Sequence, residues 1–126
     1  MVDHLGLIIS GVVSAASCSD RDGIDALCYL TKNKGALPNK VYADLGYSGQ
    51  AMKERLNLHG IELKTIGRRH KKEFIVEAKR WIVERTFAWL GKYRRLSKDY
   101  ELVTNTSMNM IYFAMSSIMS KRLSCL

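Results

Sequence analysis

The chain has 126 residues, 47% of them hydrophobic and 25% charged, which is enough for one small domain, leaves no room for a second, and is the composition of a globular rather than a disordered protein. Lys and Arg outnumber Asp and Glu by 20 to 12, giving a formal charge of +8 and a pI near 9.6, so the expected partner is an anionic polymer, nucleic acid first. Three cysteines, Cys18, Cys28 and Cys125, without C-x-x-C spacing argue against a disulfide framework and a zinc site and suit a reducing cytosol; the longest apolar runs are too short and polar to span a bilayer.

Asp3-His4-Leu5-Gly6 reads as a hairpin turn, and Leu7 to Ala16, rich in β-branched residues, as the buried strand that follows it. A turn needs two strands, and only Met1 and Val2 stand before this one, so the amino end is expected to be truncated. Asp20-Arg21-Asp22-Gly23 offers N-caps for a helix through Ile24, Leu27, Cys28 and Leu30, which Gly35 and Pro38 then stop. Lys40 to Asp44 is a short strand ending in its aspartate, with Gly46 as the turn. A helix is predicted from about Ser48 to Leu58, stopped by Gly60, and Ile61 to Ile66 alternates with period two as a half-exposed strand.

Gly67 to Glu73 is a basic loop carrying Arg68, Arg69, Lys71 and Lys72. From Phe74 to Leu90 the pattern is helical, with Ile75, Ala78, Ile82, Val83, Phe87, Trp89 and Leu90 on one broad face and Glu84, Glu77, Arg80 and Gly91 opposite. Thr104 or Thr106 caps a last helix with a stripe of Met108, Ile111, Tyr112, Met115, Ile118 and Met119, a packing face rather than a cofactor site. Trp81 and Trp89 are expected in the core or an interface, and His4, His59 and His70 form no metal set. Strands alternating with helices predict an α/β fold with parallel pairing, in which ligands lie beyond the carboxyl ends of the strands.

Asp44 ends a strand and Glu84 sits on a later helix, the arrangement from which metal-dependent phosphoryl-transfer sites are built. Hard divalent cations take oxygen ligands, and two ions about 4 Å apart activate a nucleophile, steady the leaving oxygen and neutralise the phosphate together. Each carboxylate also has an ordinary structural reading. Asp before Leu-Gly is a turn former, and Glu84 four residues after Arg80 makes a helix ion pair of about 0.3 kcal/mol.

The runs VYADLGYSG (Val41 to Gly49) and RWIVERTFAWLGKYRRLSKDYE (Arg80 to Glu101) resemble the second-aspartate strand and the glutamate helix of bacterial insertion-sequence transposases of the DDE type, in the insertion sequence four/five-like group. The intervening helix, strand and basic loop follow the family's order, and the resemblance covers nearly the whole chain. It implies a ribonuclease H-like catalytic fold of strand order 3-2-1-4-5 and two Mg²⁺ (or Mn²⁺) ions, with Asp44 and Glu84 as catalytic metal ligands. DNA at transposon ends and at the target would be the substrate, in the bacterial cytoplasm at the nucleoid.

Arg80, Glu84 and the basic residues after them match the family's arginine, glutamate and lysine signature, with Glu77 in place of its tyrosine, Gly91 in place of its lysine and Lys92 one step on. DNA contact is expected from Arg68, Arg69, Lys71, Lys72, Arg80, Lys92, Arg94 and Arg95. Asp3 matches a turn rather than the strand that carries the first aspartate. The resemblance therefore implies residues 1–126 as one partial catalytic domain, amino-terminally truncated, lacking the first strand and most of the second. Such a chain is expected to be a marginal or oligomeric protein with weak or absent cleavage. The alternatives are a non-catalytic DNA-binding module that pairs with full-length transposase and inhibits it, and a small nuclease using Asp3, Asp44 and Glu84.

Overall fold

The computed structural model describes residues 1–67 and 80–125, with Arg80 defined by its backbone alone. In chain order the elements are α1 (Ile24–Asn33), β1 (Lys40–Asp44), α2 (Gln50–Leu58), β2 (Glu62–Ile66), α3 (Arg80–Leu90) and α4 (Thr104–Leu123), with 3-10 turns at Leu45–Tyr47 and Arg94–Leu96. The fold is α/β. β1 and β2 pair in parallel, from Lys40 opposite Glu62 to Asp44 opposite Ile66, and the helix α2 makes the crossover that parallel strands require. Strand and helix bounds here lie within two residues of the expected ones, because the turn residues act locally. Gly35 and Gly60 take φ of +66° and +76° just past α1 and α2, the conformation in which glycine ends a helix without a Cβ penalty.

Two apolar cores organise the chain. The first joins Ile24 and Cys28 of α1, Met52 and Leu56 of α2, and Ile61 and Leu63 at β2, with Val41, Ala43 and Tyr47 packed against them. The helical pairs are four residues apart and the strand pair two apart, so each element turns one face to this core. At its rim the Arg55 guanidinium donates to Asp25 Oδ2 from Nε (3.0 Å) and Nη2 (2.5 Å), and His59 Nε2 lies 3.4 Å from Oδ1, which ties α2 to α1. Arg55, above all, holds the Asp25 carboxyl below the usual carboxylate range.

The second core joins Leu90 of α3 to Ala114 and Met115 of α4, with Leu7, Ile8, Tyr93, Ile111 and Ile118 around them. The amino-terminal hairpin docks here. Asp3 Oδ1 accepts from the amides of Leu5 (2.9 Å) and Leu7 (2.8 Å), and Val2 bridges Ile8 in antiparallel fashion, so the expected turn is present. Thr86 Oγ1 lies 2.7 Å from the Gly6 carbonyl, and Arg85 Nη2 donates to the Leu5 carbonyl at 2.8 Å.

Several expectations need correction. Leu7 to Ala16 is not a strand. Apart from the bridge at Ile8 it follows no ladder, because among the described residues no strand borders it. Its polar groups are met by scattered partners instead: the Met1 carbonyl takes the Ile9 amide, Lys34 Nζ donates to the Ile9 carbonyl at 3.2 Å, and the Gly11 amide donates to the Tyr112 hydroxyl at 3.3 Å.

The helix caps differ as well. Gly23 and Val103 precede α1 and α4, and neither offers a capping side chain, so Asp20, Asp22, Thr104 and Thr106 are not used as N-caps. On α3 the face turned inward is Ile82, Thr86, Trp89 and Leu90, while Val83 and Phe87 are exposed, at 43% and 68%. Thr86 displaces them because its hydroxyl meets the Gly6 carbonyl, a contact that an apolar side chain cannot make. Met119, at the end of the α4 stripe, is likewise exposed. The sheet has two strands where three were expected, so each strand keeps an unpaired edge among the described residues.

Candidate active site

β1 delivers Asp44 to its carboxyl-terminal end, where parallel strands present ligands. The side chain is exposed, and Oδ1 accepts from the Gly46 amide at 2.9 Å, closing the turn Leu45–Tyr47. A Cβ on Gly46 would come within 3.0 Å of that oxygen, so a small residue lets the turn close over the carboxylate. Oδ2 accepts no hydrogen bond from the described residues, and the residue is exposed. The turn-forming reading of Asp44 is therefore correct for one oxygen and leaves the other available.

Glu84 is exposed on α3, and α3 lies against β1, so the two carboxylates stand on neighbouring elements. A cavity of about 380 Å³ opens where the amino-terminal segment, α1, α3 and α4 meet, walled by Ser10, Ile24, Val83, Phe87 and Met108 and by Tyr47 of the turn after Asp44. Asp20, read from sequence only as a cap, also borders it. Burial pushes the Tyr47 hydroxyl up first, and the negative charges of Asp20 and Asp44 add to the shift. Asp20 thus shares an environment with Asp44, and nothing in the spacing of the sequence marks it.

Among the described residues no three of His, Cys, Asp and Glu converge into a metal cage. Asp44 and Glu84 suit a hard cation as two oxygen donors of a larger set. Asp3 does not converge with them among the described residues, and its Oδ1 accepts from the Leu5 and Leu7 amides of the hairpin turn. His59 is bound to Asp25, and the three cysteines are free thiols, Cys28 buried and the others exposed.

Of the basic positions, Arg68, Arg69, Lys71 and Lys72 lie outside the described residues, as does the Arg80 side chain. Lys92 and Arg94 are exposed just past α3. Arg95 Nε lies 2.6 Å from Glu101 Oε1, an ion pair that offsets its charge toward an outside anion. Arg85 was missed by the reading of the sequence. Its guanidinium packs over Trp81 and Trp89, 4.3 and 4.8 Å from the ring centroids, and Arg122 of α4 covers Trp89 at 4.2 Å. The signal was the spacing of residues 81, 85 and 89, which puts Trp, Arg and Trp on one helical face. Trp81 is accordingly half exposed rather than in the core.

Comparison with known proteins gives a consistent family. Residues 41–121 match the family model described as the transposase DDE domain, a stretch that takes in both carboxylates and the basic positions from Arg68 to Arg95. A Burkholderia cepacia protein named as a transposase for insertion sequence element IS402 is 41% identical over 108 residues, which cover 80% of this chain and 51% of the relative. The chain spans about half the length of that curated relative. No solved structure matches the chain. No described helix is long and apolar enough to cross a membrane.

Proposed function

The chain belongs to the transposase DDE-domain family, and from that premise we propose that residues 1–126 form one part of a ribonuclease H-like catalytic domain that cleaves and joins DNA at transposon ends, with Asp44 and Glu84 as its metal-binding carboxylates. One observation carries the reading: Asp44 ends β1 with an uncommitted oxygen, and the helix bearing Glu84 lies against that strand. Mg²⁺ or Mn²⁺ bound there, two ions in the complete site, would activate the attacking hydroxyl or water and stabilise the leaving oxygen.

The chain's own residues prepare the place. The Gly46 amide fixes the rotamer of Asp44, the packing of α3 on β1 sets where Glu84 stands, and the +8 charge draws DNA to the surface through counterion release. Two carboxylates are short of a full ligand set. The edge of β1 that no described strand pairs with is suited to a further strand carrying another aspartate, and alone this chain has weak or absent cleavage. DNA is the substrate, the chain pairs with itself or with full-length transposase, and the compartment is the bacterial cytoplasm.

A second reading rests on the lack of a three-ligand cluster among the described residues: a DNA-binding module without catalysis that associates with transposase and inhibits it. Calorimetric titration of Mn²⁺ into the folded chain separates the two, run beside Asp44→Asn and Glu84→Gln and paired with cleavage of supercoiled DNA. Saturable binding weakened at least tenfold in each variant supports the carboxylate site. Equal titrations in all three chains, with unchanged DNA affinity and no metal-dependent cutting, would leave the binding module as the function.

A further inference from the structure

We propose that the concavity between the end of α3 and the last turns of α4 is a phosphodiester-binding site that anchors a DNA strand beside the carboxylates, an inference that rests on the DNA reading above. The space is about 420 Å³ and is lined by Trp89, Lys92, Tyr93, Ile118, Lys121 and Arg122. Its floor is apolar and fixed. Tyr93 and Ile118 pack on the second core, and Trp89 is held under the guanidiniums of Arg85 and Arg122. Its rim carries three cations and no carboxylate, and among the described residues none of the three is in an ion pair.

The ordinary explanation for Lys and Arg at this place is capping, since two helices end here and each terminus carries about half a negative charge. The backbone already performs that task. The Gly91 amide donates to the Phe87 carbonyl at 2.8 Å, Tyr93 to Leu90 at 2.9 Å, Ser124 to Ser120 at 3.0 Å and Cys125 to Arg122 at 3.3 Å. Three full charges also exceed the two half charges they face, so the hollow stays positive.

Stacking on Trp89 leaves the N–H edge of Arg122 to donate to a phosphate, and Lys92 and Lys121 add point charges. Such contacts hold a strand without reading its bases. α3 rises roughly 9 Å from Glu84 to Leu90, so a phosphate held here sits along the strand from the carboxylate position rather than in it.

The test is fluorescence anisotropy of a labelled oligonucleotide with the whole chain, in EDTA, across a salt series. Lys121→Gln with Arg122→Gln, and Lys92→Gln separately, are compared with Lys53→Gln on the exposed side of α2, and circular dichroism checks each fold. The double variant is expected to lose roughly tenfold or more in affinity, equally for unrelated sequences, with the salt slope reduced by about one per lost contact. Arg122→Lys should retain most of the slope, and Lys53→Gln all of it.

Unchanged affinity and slope in the double variant, with wild type binding normally, would overturn this site and leave the DNA reading intact. Wild type that binds no DNA would overturn both. Inorganic phosphate at matched ionic strength is the second probe: an undisturbed DNA affinity supports a strand site, and displacement of DNA by millimolar phosphate would reassign the hollow to free phosphate.

Discussion

The two cores are built from similar residues and are closed to different degrees. In the first, α1 and α2 each give two residues to one interior and Ile61 and Leu63 two more from β2 and the residue before it, with Met52, Leu56 and Ile61 all at or below 2% exposure, and the Arg55–Asp25–His59 cluster seals the rim. In the second, α3 and α4 meet the amino-terminal hairpin through few buried side chains, while Val83 and Phe87 face a cavity and Phe113 is left on the surface. The lesson is about contact range. The first core closes with elements adjacent in sequence, whereas the second depends on contacts between residues some 80 apart, such as Thr86 with Gly6. Loop-closure entropy makes such contacts costly until many form together.

That contrast can be broken by substitution. The largest expected effect is Leu56→Ala, about 2–5 kcal/mol from a side chain 1% exposed, whereas Phe87→Ala, removing a larger ring that is 68% exposed, should cost within about 0.5 kcal/mol. Urea unfolding curves compare them, and a large loss at Phe87 would mean that the cavity is filled in solution, for example by a second copy.

A smaller effect tests the long-range seam. Gly6 has φ of +81° and a Cβ there would lie 2.9 Å from Thr86 Oγ1, so Gly6→Ala should destabilise by about 1–3 kcal/mol. A tryptophan fluorescence change at Trp89 that precedes loss of the far-ultraviolet circular dichroism would show the second core opening first.

The smallest effect concerns the rim of the first core. The Asp25 carboxyl is depressed in the folded chain, so the unfolded chain binds the proton more readily. The contribution is full above the ordinary carboxylate value of 3.8 and is lost as pH falls through the lower folded value. Half exposure of the carboxylate keeps it small. The difference in urea midpoint between wild type and Asp25→Asn should therefore be present at pH 6 and shrink below pH 4, and a difference that grows with acid would reverse the assignment.

Local signals determined much from the chain alone: β1 from Lys40 to Asp44, the glycine stops at Gly35 and Gly60, the Asp3 turn, and the pair of runs that carries Asp44 and Glu84. Each depends on φ preference, alternation or a short motif, and these are properties of neighbouring residues. Tertiary structure decided the rest. Leu7 to Ala16 has the composition of a strand, yet a strand exists only where another backbone continues its ladder, and among the described residues only Met1 to Asp3 meet it, near Ile8. Thr86 rather than Phe87 faces inward because a carbonyl from the far end of the chain meets its hydroxyl, and Asp20 comes to Tyr47 only when α1 packs beside the turn. Periodicity cannot encode such partners, because it has no information on which distant groups will arrive.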